Sequence, residues 1–139
     1  MADNEQIYFQ INHNMDNRVV QVVNNNLIAG DWNGGDNQQW YLVSCEDDPG
    51  YVFIYLKSDP TMVLDGNGKD AYPHVYNGGM YQKWNLSTKQ TSDGCLIFTQ
   101  KETGNVLDSD GASIYMNPFN KGKYQHWVLY PQNQEGKKS

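Results

Sequence analysis

Cysteine is almost absent from this 139-residue chain, which holds only Cys45 and Cys95. One pair of thiols at unrelated places does not make the disulfide framework of a small secreted scaffold, so buried free thiols in a reducing compartment are expected. Long apolar runs are also missing. No stretch approaches the ~20 residues that a membrane-spanning helix needs. Basic residues are outnumbered, 10 Lys and Arg against 16 Asp and Glu, for a formal net charge of −6. Such a chain repels phosphate backbones and anionic headgroups, which argues against nucleic acid or membrane surfaces as partners. Runs of Ala, Leu, Glu and Lys are lacking too, which speaks against a helical bundle.

The first ten residues, Met1 to Gln10, offer acidic and polar side chains but no basic segment followed by an apolar one. They do not read as a secretory signal, and a cytoplasmic or unconventionally released protein is expected. Asn85-Leu86-Ser87 matches a glycosylation acceptor but follows a tryptophan in a predicted strand, so it is read as coincidence. The polar end, residues 132–139, reads as a frayed tail.

What is abundant is glycine, asparagine, aspartate and tyrosine, with aromatics at 13% of the chain. That composition suits many short strands joined by turns. Internal repetition makes the reading specific. Gln-x-Trp occurs as Gln38-Gln39-Trp40, Gln82-Lys83-Trp84 and Gln125-His126-Trp127, with tryptophans 44 and 43 residues apart. Each tripeptide follows a turn, at Asn33-Gly34-Gly35, Asn77-Gly78-Gly79 and Asn120-Lys121-Gly122. An aromatic precedes each turn, Trp32, Tyr76 or Phe119, and eleven residues earlier stand Gln21, Asp65 and Asp108.

Four strand-like pieces recur in each copy. Residues 7–11, 51–56 and 95–98 open the units, and Val19-Val20, Val63-Leu64 and Val106-Leu107 follow. A third strand is predicted near Ile28, over 72–75 and over 114–116, and the fourth begins at each tryptophan of Gln-x-Trp. Units of about 43 residues are too small to bury their own apolar faces, so the three must share one core. Three blades fall short of a propeller, whereas three units closed around one axis remove the exposed sheet edges. The prediction is a single all-β domain, a β-trefoil over residues 1–139, with repeats at about 5–47, 48–91 and 92–134.

Three Gln-x-Trp motifs in register resemble the ricin B-type β-trefoil lectins over essentially the whole chain. Val63-Leu64-Asp65-Gly66, Tyr72 and Asn77-Gly78-Gly79-Met80-Tyr81-Gln82-Lys83-Trp84 are similar to the actinohivin-like, mannose-binding members of that family. Val106-Leu107-Asp108-Ser109, Tyr115, Asn120 and Tyr124-Gln125-His126-Trp127 repeat the likeness. The resemblance implies sugar contacts from Asp65, Tyr72 and Asn77, and again from Asp108, Tyr115 and Asn120. The same positions in repeat one are Gln21, Ile28 and Asn33.

The residue types make chemical sense on their own terms. A neutral sugar presents vicinal hydroxyls and an apolar C–H face. A carboxylate accepts two hydroxyl donors, a carboxamide both donates and accepts, and a flat ring covers the C–H face. Asp65, Asn77 and either Tyr72 or Tyr76 supply that set, as do Asp108, Asn120 and either Tyr115 or Phe119. His74 and Asn117 occupy matching positions and add a polar group. In repeat one, Trp32, Asn33 and Asn37 are the remaining candidates, and a weakened or altered site is expected without the acid.

Bland roles compete with these. The Gln and Trp of each motif are expected to be structural, the Trp in the core and the Gln tying the turn. Asp65 and Asp108 suit Asx turns, and Asn33 and its equivalents suit a positive φ. Asp65 to Asp70 and Asp108 to Asp110 look like pieces of a calcium loop but lack its twelfth-position glutamate, so no metal is expected. The three histidines show no ligand spacing and are expected at the surface. No nucleophile or carboxylate pair recurs with a catalytic partner, so the chain is read as a non-enzymatic, cofactor-free, metal-independent lectin. Mannose-type glycans or glycoproteins are the first expected partners, galactose or N-acetylgalactosamine the second, and a protein-binding trefoil the remaining alternative.

Overall fold

Three tryptophans set the centre of the molecule. In the computed structural model, which describes residues 6–132, Trp40, Trp84 and Trp127 are each 0% exposed. Their indole Nε1–H groups donate to the carbonyls of Val20, Leu64 and Leu107 at 3.1, 3.1 and 3.0 Å. A buried indole that lacked this acceptor would forfeit a hydrogen bond, so one contact fixes ring orientation in each repeat and ties the repeat's fourth strand to its second.

Twelve strands follow the predicted order, four to a repeat. Repeat one holds β1 (Phe9–His13), β2 (Val19–Val23), β3 (Asn26–Gly30) and β4 (Trp40–Ser44). Repeat two holds β5 (Val52–Leu56), β6 (Asp59–Gly66), β7 (Ala71–Val75) and β8 (Trp84–Ser87). Repeat three holds β9 (Ile97–Gln100), β10 (Val106–Ser109), β11 (Ile114–Asn117) and β12 (Trp127–Pro131). The first strand of each repeat begins one to two residues later than the apolar pattern suggests. The tail expected over 132–139 lies, apart from Gln132, outside the described residues.

The first and fourth strands build a barrel. Antiparallel pairing runs from β12 to β1, β4, β5, β8 and β9, and a bridge between Leu96 and Trp127 completes the ring. The second and third strands form hairpins, β2–β3, β6–β7 and β10–β11, that cover one end. Bridges from Ile28 to Ser113 and from Asp70 to Tyr115 join neighbouring hairpins. Equivalent residues fill the core in sets of three: Ile11, Ile54 and Phe98; Val20, Leu64 and Leu107; Leu27, Ala71 and Ile114. No repeat encloses these side chains alone, which is why the unit of folding is the whole trefoil.

Both cysteines are free and buried, and burial first of all pushes each thiol above its ordinary pKa. The surface placement expected for the histidines holds only for His74. His13 is 0% and His126 6% exposed, and each ring has a partner far away in sequence, Tyr124 for His13 and Asp93 for His126.

Candidate functional site

The glutamine of each Gln-x-Trp motif is a buried clamp that makes three hydrogen bonds. Its Oε1 accepts from the backbone N–H of Asn33, Asn77 or Asn120 at 2.8, 2.8 and 3.0 Å. Its Nε2 donates to the carbonyl of Asp31, Val75 or Pro118 at 2.8, 3.0 and 3.0 Å. The second Nε2 hydrogen goes to Gln21 Oε1, Asp65 Oδ2 or Asp108 Oδ2, at 2.8, 2.8 and 3.0 Å. A carboxamide is the side chain that can accept from one strand end and donate to two others at once.

The asparagine that follows closes its own turn. Oδ1 of Asn33, Asn77 and Asn120 accepts from the N–H two residues on, at 2.8, 2.8 and 2.7 Å. Positive φ falls one residue later than the asparagines, on Gly34 (82°), Gly78 (72°) and Lys121 (66°). The asparagine supplies the acceptor and its successor the left-handed backbone, which for Lys121 costs about 1–2 kcal/mol. Asn77 Oδ1 keeps a second lone pair, and its Nδ2 amide is likewise available to a ligand.

In repeat two these constraints leave a shallow depression of about 240 Å³, lined by Asp65, Asn67, Tyr72, His74, Asn77 and Tyr81. Asp65 on β6 faces Tyr72 across the β6–β7 ladder, so both side chains leave the same side of the hairpin. The carboxylate is 6% exposed, held by Gln82 and by the N–H of Gly66 at 2.6 Å. It lies within a strand, so the Asx-turn role open to it from sequence is replaced by a clamped acceptor. His74 Nδ1 stands 3.8 Å from Asp65 Oδ2. Burial, with the Asp65 carboxylate second, pushes the Tyr72 hydroxyl up.

Repeat three builds the same arrangement. Asp108 on β10 faces Tyr115 on β11, and its Oδ1 accepts from the Ser109 N–H at 2.8 Å. Asn117 Nδ2 donates to Asp108 Oδ2 at 3.1 Å, a closer version of the His74 contact. Burial followed by Asp108 pushes the Tyr115 hydroxyl up as well. Tyr124 stands where Tyr81 does in repeat two. Each of these tyrosines is anchored through its carbonyl, Tyr81 by Gln100 Nε2 at 2.8 Å and Tyr124 by His13 Nε2 at 2.8 Å. Gln100 and His13 end β9 and β1 and are fully buried.

Repeat one departs at every one of these points. Gln21 faces Ile28 rather than a tyrosine. The position of His74 and Asn117 is Gly30, and the Gln21 amide lies where a Cβ there would go, 2.1 Å from it. Asn37, in the place of Tyr81 and Tyr124, turns inward and donates to the Val22 carbonyl at 2.9 Å. Leu56 ends β5, where the other repeats have Gln100 and His13, so it supplies no anchor.

The structure therefore brings Asp65, Tyr72, His74 and Asn77 together, and places Asp108, Tyr115, Asn117 and Asn120 equivalently. Tyr76 does not join the Asp65 depression. It packs edge-on against Phe53 at 5.0 Å and stacks on Tyr55 at 5.8 Å, lining a separate hollow. Trp32 and Phe119 are its equivalents in the other repeats, Trp32 being 37% exposed and Phe119 half-buried. Sequence reasoning overlooked Asn67, Tyr81 and Tyr124. The signal for both tyrosines was available, since each stands directly before the Gln of its motif, as the candidate Asn37 does.

A second polar cluster lies away from this face. Asp93, Cys95 and His126 each bring one side-chain N, O or S atom to within 4.8 Å of the others, an arrangement the sequence spacing does not suggest. The Asp93 carboxylate meets the His126 ring at 2.9 Å and is held down at about 2, chiefly by that hydrogen bond. Lys83 occupies the His126 position in repeat two and meets Asp48 at 3.3 Å. The residue between Gln and Trp thus pairs with an acid before the repeat's first strand in both cases, which fits a structural contact.

No protein-family model matches the chain, and no curated protein sequence does. Solved structures do. The designed three-fold symmetric protein ThreeFoil is similar at 27% identity and a TM-score of 0.78, covering 88% of this chain and 96% of its own. SeviL, whose structure is of the protein bound to asialo-GM1 saccharide, is similar at 18% identity and a TM-score of 0.74, covering 91% and 98%. The exo-β-1,3-galactanase 1,3Gal43A from Clostridium thermocellum matches at 24% identity and a TM-score of 0.78 over 90% of this chain, which spans 30% of that protein. The fold is the β-trefoil, and one of its neighbours was solved bound to a saccharide.

Proposed function

We propose that this β-trefoil is a lectin with two well-formed, metal-independent sugar sites, in repeats two and three, and an altered one in repeat one. The observation that carries the reading is a repetition of chemistry. A clamped, nearly buried aspartate faces a tyrosine across a hairpin, with a second tyrosine and an asparagine amide beside it, twice in one chain. The Asp65 depression, at about 240 Å³, is smaller than the ~300–1,000 Å³ of pockets that enclose drug-sized ligands. It suits one sugar residue held at a surface. Single shallow sites bind weakly, and two or three on one body let a branched glycan supply avidity.

Mannose-type glycans are the first choice, on the likeness of the Val-Leu-Asp, Tyr and Asn-Gly-Gly segments to mannose-binding trefoils. Galactose-type glycans are the second, supported by the likeness to the trefoil portion of a galactanase. A glycan array with labelled protein, with and without EDTA, separates them. Binding to terminal mannose or to terminal galactose that survives EDTA is expected. Asp65→Ala with Asp108→Ala is expected to abolish the signal while far-UV circular dichroism stays unchanged. A folded double variant that still binds would sink the assigned chemistry.

A further inference from the structure

The hollow that receives Tyr76 lies immediately beside the Asp65 depression. Asn77 lines one and Gly78 lines the other, so consecutive residues of a single turn form the wall between them. Adjacent Cα atoms are about 3.8 Å apart, less than the width of a sugar ring. The second hollow is larger, about 450 Å³, and lies between repeats one and two.

Its chemistry differs from a plain apolar groove. Phe53, Tyr55 and Tyr76 line the hollow, with Tyr76 stacked on Tyr55 at 24°, edge-on to Phe53 and 43% exposed. Ser44, Glu46 and Lys83 stand on its walls. Flat rings cover the C–H face of a pyranose at low entropy cost, and a hydroxyl, a carboxylate and an ammonium meet its hydroxyls as donors and acceptors. The platform is not repeated. Thr99 and Asn12 replace Tyr55 in the other repeats, although Phe119 and Trp32 keep a ring in place of Tyr76.

We infer that this hollow is an extension subsite for the next sugar residue of a glycan whose end sits at Asp65, so that repeat two recognises an oligosaccharide where repeat three recognises one residue. The inference rests on the lectin reading above. It makes repeat two the site that sets selectivity for linkage and branching, since there the chain beyond the terminal sugar meets a shaped surface.

The test uses the full chain carrying Asp108→Asn, which silences repeat three. Isothermal titration compares methyl α-mannoside with a branched mannopentaose, and methyl β-galactoside with lactose. The parent is expected to bind the longer member of one pair at least tenfold more tightly. Tyr76→Ala removes the platform, and Ser44→Arg fills the hollow from an exposed position without touching a ring. Both are expected to erase the advantage of the longer sugar while leaving the monosaccharide affinity within twofold. A parent without that advantage, or variants that keep it, overturns the subsite. A parent that binds none of the four, or an Asp65→Asn variant that binds as the parent does, overturns the lectin reading instead.

Discussion

Nε2 of Gln82 lies 2.8 Å from Oδ2 of Asp65, and the same bond, at 3.0 Å, joins Gln125 to Asp108. The residue that ties the turn also holds the carboxylate. A ligand hydroxyl then meets an acceptor already oriented, and the ordering of that side chain is not charged to binding.

Replacing the clamp therefore affects fold and site together. Gln82→Ala leaves Asp65 Oδ2, the Val75 carbonyl and the Asn77 N–H without their protein partner. A loss of about 2–4 kcal/mol is expected from unsatisfied groups at a buried position. Gln82→Glu keeps the shape but sets a second carboxylate against Asp65, and is expected to be at least as unstable at pH 7 and to recover in part as the pH falls and the pair shares a proton. Urea unfolding at pH 7 and pH 5 measures both.

Trp84→Phe tests the indole bond. The ring remains aromatic, but the Leu64 carbonyl loses its donor at 3.1 Å and the core loses volume. Chemical denaturation is expected to show about 2–4 kcal/mol less stability with an unchanged circular dichroism spectrum. A loss below 0.5 kcal/mol would mean that the hydrogen bond adds nothing beyond what water gives the unfolded chain.

The Asp93–His126 pair predicts an acid limb in the stability curve. The folded carboxylate sits at about 2, below the ~3.9 of an unfolded aspartate. A depressed acid contributes stability that is fully present above about pH 4 and disappears as the pH falls through about 2. Asp93→Asn is expected to melt below the wild type at pH 6 and to converge with it near pH 2. Melting curves at four pH values decide; parallel curves would remove the pair from the account.

Repeat one can be rebuilt if the kit is sufficient. Gln21→Asp, Ile28→Tyr, Gly30→Asn and Asn37→Tyr reproduce the residues of repeat three at those positions. The stoichiometry of sugar binding is expected to rise from two to three per chain by isothermal titration. Leu56→His or Leu56→Gln, restoring the buried anchor behind the new tyrosine, is expected to tighten that third site further.

The fold was legible because its signals are local and threefold. Gln-x-Trp at a near-constant period marks where each fourth strand starts, and Val19-Val20, Val63-Leu64 and Val106-Leu107 mark each second strand. The Asp, Tyr and Asn of the site fell out of the same alignment, since a hairpin ladder places Asp65 opposite Tyr72 once the turn length is known. Tyr76 was not legible in this way. It stands one residue past the end of β7, where alternation stops and the turn decides which way a ring points. The buried histidines escaped for a different reason. His13 finds its acceptor at Tyr124, 111 residues away, and no window of local sequence contains both. The missed tyrosines, Tyr81 and Tyr124, were masked by their neighbours, because the Gln beside each was already assigned a structural role.

The clamp's independence from the sugar has a further consequence. Gln38 makes its three bonds in repeat one as Gln82 and Gln125 do in theirs, although Gln21 has replaced the acid. A copy can thus drift in what it recognises without endangering the chain's ability to fold. On the lectin reading, architecture and recognition are separately heritable, and a copy can change its specificity while the clamps of all three still close their turns.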